Sequence, residues 1–360
     1  MYKSIAIYPY NNGEEYIKKC DEYLALASKY CFNEVFTSVH LPELDMDTQM
    51  NFLFILAKLA KKYNMEITAD IGGGYIKKLI ANKELFDKLN DAKIDFLRLD
   101  YGYDHKDIEY ISKNLYVKGF VINASIYTKE ESKTEIEFIR SLNKEVRSCH
   151  NFYPRVESGI DSELALHQKK IFDELHVPIY YCIPSLNNPR GPIFEGLPTL
   201  EEHRYKDLVT VSLELINKYD AQAIMFADNF YSEKDFSEFN DVINHNTIKI
   251  KAKTYTSDYD DVVFKEHKFR YDSSNSFLRS QSSRQMAEFS KSIAPDNCVE
   301  RKIGSITIDN TLYERYSGEL QVVLKDSLEN KKINVVGFVD SNDIEKLYYF
   351  RYGYTYLFVK

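Results

Sequence analysis

Apolar residues recur along the first two-thirds of the chain in two alternating textures. Short apolar or alternating runs suit strands, and longer runs with apolar positions three and four apart suit helices. The short runs predict strands over 4–9, 34–39, 66–70, 96–100, 119–123, 146–150, 179–183 and 223–227. Helical spacing between them predicts helices over 14–30, 47–63, 75–89, 104–115, 130–142, 161–175, 200–218 and 233–243. Ile17, Leu24 and Ala27 mark the core face of the first helix, and Phe52, Ile55, Leu56 and Leu59 that of the second. Asp161 or Ser162 caps the helix over 161–175, and Thr199 with Glu202 matches a capping box. Eight strands, each followed by a helix, are what an α/β protein of the (β/α)8 TIM-barrel class requires, and they fill about 245 residues here. The competing doubly wound sheet usually carries an early phosphate loop, and the first turn, YPYNNGEE, has no GxGxxG.

Beyond residue 246 the texture changes. Strand-like runs at 247–253, 262–264, 303–308, 319–324, 335–339 and 354–359 follow one another without long helices, and 271–285 and 291–300 read as polar loops. The expected division is therefore a barrel domain over 1–245 and a smaller, mostly β domain over 246–360.

Composition narrows the function classes. The 360 residues are 44% hydrophobic and 28% charged, which fits a globular protein and argues against disorder. A net charge of −8 argues against sequence-independent nucleic-acid binding, which needs a concentrated basic surface. It leaves room for an anionic small substrate, because a local cationic pocket can oppose the global sign. Tryptophan is absent, so any aromatic platform for a sugar must be Tyr or Phe. The N-terminal residues enter strand-like alternation without a cationic and then apolar leader, so no secretory signal is expected. No run approaches the ~18 apolar residues of a membrane span. The five cysteines (Cys20, Cys31, Cys149, Cys182, Cys298) are scattered without a CxxC pair, which suits a reducing cytoplasm. His40 and His150 with Asp70 and Asp228 could in principle hold a metal. No HxH or HExxH spacing supports it, so neither metal nor cofactor is expected.

Barrel enzymes place their chemistry at the C-terminal ends of the strands. In the fourth strand parity turns Leu97 and Leu99 toward the helices and Arg98 and Asp100 inward. A lone charge there is costly, so Arg98 is expected to be neutralised by Asp100 or another carboxylate. Asp70, Asn123, His150 and Asp228 end the third, fifth, sixth and eighth strands, and the loop after the sixth adds Asn151, Tyr153, Arg155 and Glu157. Converging on one mouth, these residues form a carboxylate-rich pocket suited to acid–base work on a sugar bond. The catalytic candidates are Asp100 and Asp228, with Asp70 and Glu157 as close competitors. Arg98, Asn123, His150, Asn151, Tyr153, Arg155 and Arg190 are candidates for holding substrate. Arg190, in a Pro-Arg-Gly-Pro setting on the long seventh loop, suits an anion clamp; a lid or domain-contact loop is the blander reading. Gly72-Gly73-Gly74 could offer backbone donors to an anion, although the spacing matches no phosphate motif.

Three stretches carry a resemblance: LRLDYG at 97–102, HNFYPR at 150–155, and IPS…RGP…GLPTLEEHR at 183–204. They resemble the bacterial 6-phospho-N-acetylmuramidases. GSITIDNTLYERYSGELQVVL at 304–324 and NVVGFVD at 334–340 are similar to that family's second domain, a small cyclophilin-like β-barrel. The resemblance implies a cytoplasmic, exo-acting glycosidase of cell-wall recycling. It would split the disaccharide of 6-phospho-N-acetylmuramic acid and N-acetylglucosamine, a phosphorylated amino-sugar substrate. Other expectations stay open: a different 6-phosphoglycosidase or an etherase, or a non-catalytic carbohydrate-binding protein. The β domain, with Arg279, Arg284 and Arg315, would either close over the barrel mouth or make a homodimer contact.

Overall fold

The computed structural model describes residues 1–10, 13–39, 41, 43–100, 102–272, 274–286, 292–350 and 353–360. His40 lies outside the described residues. Two compact units result, one of residues 1–208 and 219–236, the other of 209–218 and 237–360.

The first unit is an eight-stranded, closed parallel barrel in strand order β1 to β8. Its first half runs β1 (Tyr2–Ala6), α1 (Glu14–Lys29), β2 (Glu34–Ser38), α2 (Met46–Lys62), β3 (Glu66–Asp70), α3 (Gly73–Ala81), α4 (Lys83–Ala92) and β4 (Phe96–Leu99). Then come α5 (His105–Asn114), β5 (Gly119–Asn123), α6 (Lys129–Ser141), β6 (Glu145–Cys149), α7 (Ser162–Glu174), β7 (Ile179–Ile183), α8 (Leu208–Asn217), β8 (Ala223–Phe226) and α9 (Glu233–Ile243), of which α8 from Val209 and α9 from Ser237 are counted with the second unit. The barrel closes where β1 pairs with β8, Tyr2 opposite Ala223. Short side-chain caps start the helices: Asp45, Asp104, Thr128 and Asp161 each accept a backbone N–H from the first turn.

Two helices depart from the expected pattern. The helix expected over 75–89 is two, because the Asn82 side chain accepts the Leu85 N–H and starts a new helix there. The helix expected over 200–218 begins only at Leu208, after a 3-10 turn at Glu201–His203. The capping box expected of Thr199 does not form. Its hydroxyl donates to the Asn151 carbonyl and accepts the Cys182 N–H, tying the seventh loop to β6 and β7.

Ala6, Tyr8, Phe36, Phe96, Val121, Cys149, Tyr180, Cys182, Ala223 and Met225 fill the barrel interior. Beneath them, at the N-terminal ends of the strands, an ionic plug closes the bottom. Arg147 holds Glu34 and Glu66 at 2.7 Å each, and Tyr180 and Thr68 donate to Glu34 at 2.6 and 3.0 Å. The Arg147 guanidinium lies 3.7 Å over the Phe96 ring. Burial pushes the Glu34 carboxyl up, and Arg147 opposes it.

The second unit is a curled seven-stranded sheet, a half-barrel. Its elements are β9 (Thr247–Thr254), α10 (Asp260–Val263), β10 (Glu266–Lys268), β11 (Phe277–Arg279), β12 (Ser305–Asp309), β13 (Leu320–Val323), β14 (Ile333–Val339), α11 (Ile344–Tyr349) and β15 (Thr355–Val359). The order is β10-β15-β9-β14-β12-β13-β11. Alternation along β9 turns Ile248, Ile250 and Ala252 into a core shared with Ile306, Ile308, Leu320, Val322, Tyr356 and Phe358. The strand expected over 262–264 belongs instead to the end of α10, and β11 lies inside a stretch expected to be loop.

Candidate active site at the barrel mouth

The parity argument for β4 holds. Arg98 and Asp70 are buried, and one Arg98 nitrogen, Nη1, lies 3.3 Å from both Asp70 Oδ2 and Asp100 Oδ1. The other, Nη2, donates to Asn151 Oδ1 at 2.6 Å. Asn123 Nδ2 donates to Asp100 Oδ1 at 3.0 Å and to Asn151 Oδ1 at 2.9 Å. Ser125 N–H in turn fixes the Asn123 amide by donating to its Oδ1 at 2.9 Å. Four strand ends, β3 to β6, thus supply one network. Burial works against the Arg98 charge, but Asp70 and then Asp100 hold it firmly protonated.

Asp100 is the reachable carboxylate of that network. Its side chain keeps 26% of its surface exposed, against 5% for Asp70. A carboxylate held by a guanidinium and an amide, and open on one side, is preorganised to face a charge developing on a substrate.

The other candidates go elsewhere. His150 is fully buried, its ring tilted against that of Tyr181 at 5.0 Å, with Nδ1 3.0 Å from Ser125 Oγ. Its neighbour Cys149 belongs to the barrel interior, so alternation turns His150 to the other face of the sheet. Desolvation pushes its imidazole down to about 3, which keeps it neutral. Arg155 and Glu157 are exposed, and their backbones are tied into the loop. The Arg155 carbonyl accepts from Arg204 Nη2 at 3.0 Å, and the Glu157 N–H donates to Glu201 at 2.9 Å. Tyr153 is half-buried, its N–H on the Pro198 carbonyl.

Asp228 sits at the end of β8 as the anchor of the seventh loop. Oδ2 accepts the N–H groups of Ser185 at 2.7 Å and Leu197 at 3.2 Å, and Oδ1 accepts that of Arg190 at 2.7 Å. Burial pushes its carboxyl up, against these three donors and the Arg190 charge. Asp228→Asn keeps one acceptor oxygen and turns an amide N–H toward a backbone N–H. A buried donor left without a partner costs about 1–3 kcal/mol, so a loss near 2 kcal/mol is expected, read as a lower urea midpoint. An unchanged midpoint would remove the anchor role.

Beside the network, a cavity of about 620 Å³ opens among the loops after β1, β2, β7 and β8. Tyr8 lines it. Its ring meets Phe152 at 6.0 Å and Phe36 at 6.3 Å, and its hydroxyl donates to the Ala227 carbonyl at 3.0 Å. Arg190, Lys19, Asn229, Phe194 and Phe230 line the cavity. Of these, only Arg190 stands out in the sequence; Lys19 lies on α1 and Phe194 and Phe230 on loops. The cavity signal in the sequence was Arg190 alone, in its Pro-Arg-Gly-Pro setting.

Residues 4–241 match the model of the 6-phospho-N-acetylmuramidase N-terminal domain, and residues 246–359 that of the C-terminal domain. The chain belongs to the 6-phospho-N-acetylmuramidase family. Two solved structures are similar over its whole length. One is a conserved protein of unknown function from Enterococcus faecalis, 26% identical, with a TM-score of 0.81 and 96% of that chain covered. The other is an uncharacterized B. cereus protein, 22% identical, with a TM-score of 0.74 and 99% of that chain covered. No curated protein matches. For a 6-phospho-N-acetylmuramidase family member, the Asp100 network and the neighbouring cavity are the features of the barrel mouth that suit a sugar.

Proposed function

We propose that this protein hydrolyses the glycosidic bond of 6-phospho-N-acetylmuramyl-N-acetylglucosamine, acting from the phosphorylated end, in peptidoglycan recycling in the cytoplasm. The observation that carries the reading is Asp100: a reachable carboxylate, fixed by Arg98 and Asn123, at the mouth of a barrel that belongs to this family. Glycoside hydrolysis passes through an oxocarbenium-like transition state, and a fixed carboxylate beside the anomeric carbon stabilises that charge. Asp100 takes this role directly. Asp70 acts through Arg98, whose guanidinium it shares with Asp100, and so sets the field that Asp100 feels. Asn123 is buried with its amide fully engaged, so it positions Asp100 and Asn151; Asn151, half-buried and held at Oδ1 by Arg98 and Asn123, offers its amide N–H to a sugar hydroxyl. All five cysteines are unpaired, which supports a reducing compartment, and no helix among the described residues is long and apolar enough to cross a membrane.

The direct test is turnover of a chromogenic 6-phospho-N-acetylmuramide by the full chain, beside its unphosphorylated counterpart. Release of chromophore from the phosphorylated compound, at least tenfold faster than from the other, is expected. Binding without turnover would sink the hydrolase reading.

A further inference from the structure

Several cations of the barrel unit are committed to carboxylates. Arg98, Arg147, Arg204 and Lys118 each hold a carboxylate within 3.3 Å. Arg190 and Lys19, both lining the cavity, lie over aromatic rings instead. The half-buried Arg190 guanidinium is 4.1 Å from the centre of the Tyr8 ring, and Lys19 Nζ is 4.1 Å from that of Phe230. Among the described residues, no carboxylate pairs with either. A carboxylate would cancel the charge and occupy the donors. A ring face holds the cation in place and leaves its N–H groups for a ligand.

Both rings are fixed in turn. Tyr8 is buried, and its backbone N–H donates to Asn229 Oδ1 at 3.3 Å. Phe230 has a φ of 54°, a left-handed backbone unusual for a bulky residue, and its ring meets Tyr16 at 5.8 Å and Tyr23 at 5.3 Å. The Arg190 N–H is anchored on Asp228. Glu43, exposed on the loop after β2, is the carboxylate among the lining residues; Asp228, which feels the Arg190 charge, is buried and spends its oxygens on three backbone N–H groups. A planar fork and a compact ammonium converging on one cavity suit a phosphoryl group, whose oxygens can accept from both.

We infer that Lys19 and Arg190 together form the phosphoryl-binding pair of the barrel mouth, with Phe230 as the positioning residue that holds Lys19. The identity of the sugar rests on the proposed function; the pair itself does not. The site makes phosphorylation of the ligand the main determinant of binding, and it draws one determinant from a helix and the other from the seventh loop.

Calorimetric titration of the full chain with N-acetylmuramic acid 6-phosphate and with N-acetylmuramic acid, at low ionic strength, tests this. The wild type is expected to bind the phosphorylated sugar more than tenfold tighter. Lys19→Ala should weaken that binding about fivefold and Lys19→Glu further, with Arg190→Ala losing more than tenfold. Binding of the unphosphorylated sugar should not change. Phe230→Ala should mimic Lys19→Ala, and Phe230→Tyr should restore binding. Lack of discrimination by the wild type overturns the inference, as does unchanged affinity in the Lys19 variants or equal losses for both sugars. A protein that hydrolyses nothing yet shows this pattern keeps the pair and loses the hydrolase reading. One that turns over substrate with Lys19 and Arg190 both dispensable does the reverse.

Discussion

Asp100→Asn should lower kcat/KM for a 6-phospho-N-acetylmuramide by about a thousandfold, within the range a positioned acid or base contributes. The substitution changes charge and little else. Asn at that position can still accept from Asn123 Nδ2 through its own carbonyl oxygen, and Arg98 keeps its ion pair with Asp70. The protein should therefore fold normally, and the loss should appear in kcat more than in KM. Asp70→Asn is the informative companion. Asp70 is buried and reaches substrate only through Arg98, so its loss should be smaller and should shift the pH profile of the rate. If folded Asp100→Asn works within threefold of the wild type, another carboxylate carries the reaction.

Arg147→Ala should destabilise the barrel by about 3–5 kcal/mol, the cost of stranding a buried carboxylate. Glu34 is buried beneath the barrel core and depends on Arg147 at 2.7 Å; Glu66 loses the same partner but keeps Lys118 at 2.8 Å. The guanidinium also covers the Phe96 ring, so truncation opens space as well. The orphaned charge is the larger part. The double variant Arg147→Met with Glu34→Gln should accordingly recover most of the stability lost, since it removes both charges and keeps volume. Urea unfolding, followed at the transition assigned to the barrel, measures this. Activity well below that transition should be unchanged, because the plug lies at the end of the strands opposite the mouth. A loss under about 1 kcal/mol for Arg147→Ala would show that water reaches Glu34 and that the plug is not sealed.

The same two networks show how far residue patterns carried. Parity along Phe96–Leu99 was enough to turn Arg98 inward, because a β-strand offers only two faces and Leu97 and Leu99 claimed one of them. At the end of β6 a single residue decides the face. Cys149 points into the barrel, so His150 beside it packs outside against Tyr181 and Ser125. For Asp228 the strand end was legible, while its partners were not. They are backbone N–H groups of a loop some forty residues earlier in the chain, and side-chain identity says nothing about them. Lys19 was out of reach altogether, since a lysine on an amphipathic helix looks like any solvated charge until a ring 211 positions away is found beneath it.

Local physics therefore determined the elements. Two hydrophobic periods, short polar caps and glycine or proline breaks fix strands and helices because they act within a few residues. Eight alternating pairs then leave the barrel as the economical closure. The stretch from His150 to Glu157 shows where that determination stops. Its polar residues are the same in either account, but only the fold sends Asn151 into the Arg98 network, His150 behind the sheet, and Arg155 and Glu157 to the surface. Charge pairing, burial and the cavity depend on which strands become neighbours, a property of the closed barrel as a whole.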